Sequence, residues 1–163
     1  MKENIRLMII DDDADDRKLF IEAVKEIDDQ ITCSWAKDGF QALEILRNET
    51  LPLPHYLFLD LRMPRISGKK CLIEIRGDER LKNIPVIIYT TSRELEESKE
   101  LKDLGAVHFI SKPSNPEEIY YVISCVLEEH LWQSRRMEYQ YKRLAMERPQ
   151  KYCGIDNAFS GGF

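Results

Sequence analysis

The chain has 163 residues, of which 43% are hydrophobic and 33% charged, with a formal net charge of −5; that is enough for one ordinary domain with a real core and a short extension. No apolar run approaches the ~20 residues of a membrane span, and the opening MKENIRLMII runs straight into DDDADD without the h-region or cleavage site of a signal peptide, so a soluble, cytoplasmic protein is expected. The charge is uneven: residues 1–133 hold 18 Lys/Arg against 26 Asp/Glu, whereas 134–151 hold six against two, an acidic body with a basic extension.

In chain order, the first strand-like run is IRLMII (5–10). Asp13, with Asp16 three residues on, is placed to cap a helix carrying Leu19, Phe20, Ala23, Val24 and Ile27 at helical spacing. After ITCSWA (31–36), Asp38 and Gln41 cap a second helix with Phe40, Leu43 and Leu46. HYLFL (55–59) precedes a third helix containing Ile73 and Ile75, and PVIIY (85–89) a fourth that begins near Ser92 and ends at Gly105. AVHFI (106–110) is followed by Asn115, Pro116 and Glu118 as N-cap, N1 and N3 of a fifth helix. Its apolar face, Ile119, Val122, Ile123, Val126, Leu127 and Leu131, continues in phase through Met137, Tyr141 and Leu144. Five alternating strand–helix units predict an α/β fold with a doubly wound, five-stranded parallel sheet, flavodoxin-like, its near-continuous apolar strands covered on both faces. The expected organisation is a domain over 1–131, a basic helical extension over 132–148 and a loose tail over 149–163. Cys33, Cys71, Cys125 and Cys153 form no C-x-x-C pair and read as small buried hydrophobes.

Such sheets place their sites at the carboxyl ends of the strands. Asp11 and Asp12 follow the first, Asp60 the third, Thr90 the fourth and Lys112 the fifth. Each has a bland alternative: Asp13 beside them is read as an ordinary N-cap, and a single Thr or Lys at a strand end is unremarkable. Their joint placement at four strand ends is the signal. Three crowded carboxylates repel one another unless a cation neutralises them or some of them take up protons, and a hard cation with oxygen ligands, magnesium, suits a site with room for water and phosphate. Asp60, at the tip of the central strand, is placed to attack phosphorus, with Lys112 and the Thr90 hydroxyl to hold phosphoryl oxygens.

MIIDDDADDR, LFLDLRMPRISG, PVIIYTTS and HFISKPS together resemble, over about residues 5–131, the receiver domains of two-component response regulators. The resemblance implies that Asp60 is the phospho-acceptor, that Asp12 and Asp60 touch Mg2+ with Asp11 reaching it mainly through water, and that the backbone carbonyl of Arg62 completes the protein ligands. It further implies Thr90 as switch hydroxyl, Phe109 as the aromatic that turns inward when Thr90 moves, Lys112 as the phosphate-binding lysine, and a cis Lys112–Pro113 bond. Thr91 is bulkier than the residue more usual beside the phosphoryl site, and Arg62 stands where it can attract an anionic donor, so slow to moderate dephosphorylation is expected.

A dinucleotide-binding domain needs a glycine-rich turn where this chain has DDDADD. An aspartyl-phosphate hydrolase carries a second aspartate where this chain has Arg62. The chain is therefore read as no enzyme beyond self-phosphorylation and autodephosphorylation. The remaining rival is a degenerate receiver that binds proteins without phosphorylation. Expected partners are a histidine kinase or histidine phosphotransfer protein upstream and a protein target at the face of the fourth helix, fifth strand and fifth helix. A homodimer through the fifth helix and its extension, along Trp132, Met137, Tyr141 and Leu144, is also anticipated. The ~30 residues past the core are too few for a DNA-binding domain, so no direct DNA contact is expected.

Overall fold

In a computed structural model that describes residues 4–91 and 98–127, five strands hydrogen-bond in parallel in the order β2-β1-β3-β4-β5. They are β1 (Arg6–Ile10), β2 (Thr32–Ala36), β3 (Tyr56–Leu59), β4 (Val86–Thr90) and β5 (His108–Ser111). The chain divides into two compact units, Met1–Lys112 and Pro113–Phe163. The whole sheet lies in the first, with α1 (Ala14–Ile27), α2 (Gly39–Arg47), α3 (Gly68–Gly77) and α4 (Ser98–Asp103).

The starts of α1, α2 and α3 follow from side chains that satisfy otherwise unpaired N–H groups. Asp13 accepts from the N–H groups of Asp15 and Asp16, and Asp38 from that of Gln41, whose own side chain accepts from Lys37 N–H. Ser67 accepts from Lys70 N–H at the head of α3. On α1 the buried set Phe20, Ala23, Val24 and Ile27 has the expected spacing, and the Phe20 ring meets Phe58 edge-on with centroids 4.7 Å apart.

β1, β3 and β4 are buried along nearly their whole length, as two-sided cover requires, but β2 is an edge strand with Trp35 about half exposed. Two apolar helix residues also face outward. Ile73 lies across α3 from the buried Ile75, and Phe40 carries the Arg65 guanidinium 4.8 Å above its ring. Helix α4 is described from Ser98, so the expected start near Ser92 lies outside the described residues; its expected stop is met by Gly105 at φ 101°, a left-handed conformation that suits glycine.

In the second unit Asn115 accepts from Glu117 N–H, Pro116–Glu118 form a 3-10 turn and α5 spans Ile119–Val126. The expected cap is present, with a tighter first turn. The extension, its apolar stripe and the tail lie outside the described residues. Among the described residues no helix is long and apolar enough to cross a membrane.

Candidate functional site

Strand register delivers the expected residues to one place. Ile10 and Leu59 are partners across β1 and β3, so Asp11 and Asp60 leave their strands side by side, tied down by Asp11 N–H to Ala36 O at 3.1 Å and Asp60 N–H to Ile10 O at 2.9 Å. Thr90 ends β4, and Lys112, just past β5, donates its backbone N–H to Thr90 O. The Thr90 hydroxyl donates to Asp60 Oδ1 at 3.0 Å. Lys112 Nζ lies 2.7 Å from Asp11 Oδ2, 2.9 Å from Asp16 Oδ2 and 3.8 Å from Asp60 Oδ2. Asp11, Asp12 and Asp60 each offer a carboxylate oxygen within 4.8 Å of the others. Asp11, Asp60 and Thr90 are buried and Asp12 is exposed.

Burial dominates the electrostatics. It raises the Asp60 carboxyl to about 6, an effect that Lys112 and the Thr90 hydroxyl oppose and that the Asp11 and Asp12 charges reinforce. Asp11 is likewise raised by burial against the pull of Lys112. For Lys112, burial acts downward but the carboxylates of Asp11, Asp16 and Asp60 outweigh it, so the ammonium holds its proton more tightly than usual. Although Asp11 Oδ2 is ion-paired with Lys112, no well-directed hydrogen bond reaches that buried oxygen. An under-satisfied buried carboxylate oxygen beside two more carboxylates is the donor set a hard divalent cation takes, so the residues fit the implied metal.

A loop after β3 shapes the rim. A Cβ on Gly68 would sit 2.1 Å from Asp60 O, so the loop closes on the Asp60 backbone only because this residue has no side chain. Arg65 is at φ 69°, and its guanidinium lies 3.6 Å from the buried Asp38 carboxylate. Arg62 is exposed. Phe109, on β5 opposite Ile88, is buried.

One expectation is corrected and one residue was missed. No peptide bond among the described residues is cis, so Lys112–Pro113 is trans; trans is the lower-energy X-Pro isomer, and nothing in the local sequence requires the other. Asp16, expected only to support the cap of α1, reaches Lys112. The available signal was spacing: Asp12 and Asp16 stand four residues apart across the head of α1, so a carboxylate one turn in can address the same site.

A sequence profile of the response regulator receiver domain matches residues 7–124. The chain belongs to this family. The response regulator Rcp1 of Synechocystis sp. is 26% identical over 132 residues, covering 77% of this chain and 87% of that protein. A protein-glutamate methylesterase/protein-glutamine glutaminase of Saccharophagus degradans is 34% identical over 117 residues, 71% of this receiver chain but 32% of that protein; the chain thus spans about a third of it. Among solved structures, the phosphorylated cyanobacterial phytochrome response regulator RcpA aligns with a TM-score of 0.73 at 26% identity, over 81% of this receiver and 97% of that chain. The Mn(2+)-bound form of Rcp1 aligns with a TM-score of 0.66 at 26% identity, over 76% and 91%. The five-stranded parallel α/β receiver fold and the two-component assignment are thereby established; receiver domains are in general not enzymes, and they bind divalent metal.

Proposed function

We propose that this chain acts as a stand-alone receiver that takes a phosphoryl group onto Asp60 from a histidine kinase or histidine phosphotransfer protein and signals to a protein target by changing conformation. One observation carries the reading: the buried Asp60 carboxylate has the Thr90 hydroxyl at 3.0 Å and the Lys112 ammonium at 3.8 Å, inside a cluster with Asp11 and Asp12. A carboxylate oxygen of Asp60 attacks phosphorus in line, forming one P–O bond as the donor's P–N or P–O bond breaks and its electron pair leaves with the donor. Lys112 binds a phosphoryl oxygen by charge, and the Thr90 hydroxyl turns from Asp60 to donate to another. Asp11, Asp12, Asp60 and the Arg62 carbonyl are the groups to hold Mg2+, which when bound supplies positive charge to the phosphoryl oxygens. Motion of Thr90 then favours one setting of Phe109 over another. The exposed Thr91 and Arg62, one residue past Thr90 and two past Asp60, set the rate of loading and loss. The chemistry is limited to self-phosphorylation and autodephosphorylation.

The test is intact-mass spectrometry after incubation with acetyl phosphate and Mg2+, comparing wild type with Asp60→Asn. A gain of ~80 Da, one phosphoryl group, that needs Mg2+ and is absent in the variant is the expected result. If wild type takes up nothing, the proposal fails and a phosphorylation-independent binding module becomes the better account.

A further inference from the structure

The Lys112 ammonium has three N–H donors and three carboxylates around it, and they are not equivalent. Asp11 is completely buried and fixed by the Asp13 N–H on its other oxygen, so it is the permanent partner. Asp60 is where the phosphoryl group arrives, and it is the most distant at 3.8 Å. Asp16 is the third, at 2.9 Å, and it belongs to neither the Asp11–Asp12–Asp60 cluster nor the acceptor. Its side chain is 37% exposed against 13% for Lys112, so water can take over its lone pairs when the ammonium leaves. The contact joins residues 96 apart in sequence, from the first turn of α1 to the end of β5.

We propose that Asp16 is a restraining residue, holding Lys112 on the α1 side of the site so that its full engagement with a phosphoryl group on Asp60 requires release from Asp16. This rests on Asp60 being the acceptor, as proposed above. Two anions then compete for one ammonium, and the carboxylate of Asp16 tunes both how fast the phosphoryl group is gained and how long it stays. Asp16 touches no reacting atom; it acts through Lys112.

The test measures phosphoryl gain and loss by intact mass, with acetyl phosphate and Mg2+, in wild type, Asp16→Asn, Asp16→Glu, Lys112→Ala and Lys112→Ala with Asp16→Asn. Asp16→Asn keeps the size and removes the charge, and is expected to load about three- to tenfold faster and lose the group correspondingly more slowly, the scale of one partly exposed charge-assisted hydrogen bond. Asp16→Glu, which keeps the charge, is expected to stay near wild type. In the Lys112→Ala background the Asp16→Asn effect disappears. A wild-type rate in Asp16→Asn, slower loading in it, or an effect that persists without Lys112 overturns the restraint while leaving the acceptor assignment intact. Absence of uptake by wild type overturns both.

Discussion

At the carboxyl ends of β1 and β3–β5, the carboxylates of Asp11, Asp16 and Asp60 lie within 4 Å of the Lys112 ammonium, with Asp12 beside them. At the amino ends of β1 and β2, Leu7, Met8, Ile45, Leu46, Leu51 and Leu53 line an apolar cavity of about 260 Å3. Hydrogen bonds tie its surroundings together: Arg6 Nε donates to Leu53 O at 2.9 Å, His55 Nδ1 accepts from Arg6 N–H at 2.9 Å, and Arg80 donates to Leu46 O at 2.7 Å. One end of the sheet holds charge that burial disfavours, whereas the other holds apolar surface that burial favours. Chemistry and stability are thus drawn from opposite ends of the same strands, and substitutions separate them.

Asp60→Asn has the largest expected effect, complete loss of phosphoryl uptake, yet it stabilises the metal-free fold at neutral pH. The Asp60 carboxyl is raised from 3.8 to about 6 by burial, so the folded state prefers the protonated form. That contribution to stability is fully present below pH 3.8 and is lost as pH rises through about 6. Urea unfolding without divalent metal should therefore find the variant more stable than wild type at pH 7, by on the order of 1–3 kcal/mol, with the gap closing toward pH 4. Adding Mg2+ at pH 7 should favour wild type, as expected of an ion held by the folded carboxylates under the proposed function. A gap that does not depend on pH would show that Asp60 carries no such cost.

Leu46→Ala addresses the other end. Leu46 is buried on α2, and its truncation should cost about 2–5 kcal/mol in urea unfolding. Phosphoryl uptake per folded molecule should be unchanged, which intact mass at low temperature would check. Loss of uptake without unfolding would mean that the two ends are coupled.

Gly68→Ala sits on the boundary between these effects. Its new methyl would meet Asp60 O at 2.1 Å and Leu61 Cα at 2.8 Å, backbone atoms that cannot swing aside. A cost of about 1–3 kcal/mol is expected, accompanied by slower uptake as the loop withdraws from Asp60. Unfolding and loading rates on the same sample separate the two.

The fold was legible because periodicity, caps and strand ends all pointed to one architecture. Asp13, Asp38 and Asn115 cap where their spacing said, and Asp11, Asp12, Asp60, Thr90 and Lys112 meet because parallel strands bring their ends together. What escaped depends on position rather than pattern. Trp35 is exposed because β2 lies at the sheet's edge, and strand order is not written in any one segment. Phe40 reads as core by type but sits on the outer face of α2 under a guanidinium delivered by a distant loop. Asp16 looked local because its cap contact is local; its second partner is 96 residues away.

The smallest effect ties local structure to the site. Asp13 is exposed, and its carboxylate accepts from the N–H groups of Asp15 at 2.9 Å and Asp16 at 3.2 Å. Asp13→Ala should cost about 1 kcal/mol as the first turn of α1 loses its cap. That turn carries Asp16, so fraying it also loosens the carboxylate that holds Lys112. Asp13→Ser restores a capping oxygen without the charge and should recover most of the stability. If loading by acetyl phosphate speeds up in Asp13→Ala and returns to the wild-type rate in Asp13→Ser, the cap acts on the site through the geometry of Asp16. If loading instead follows the charge at position 13, changing alike in both variants, the helix start contributes only to the electrostatic field.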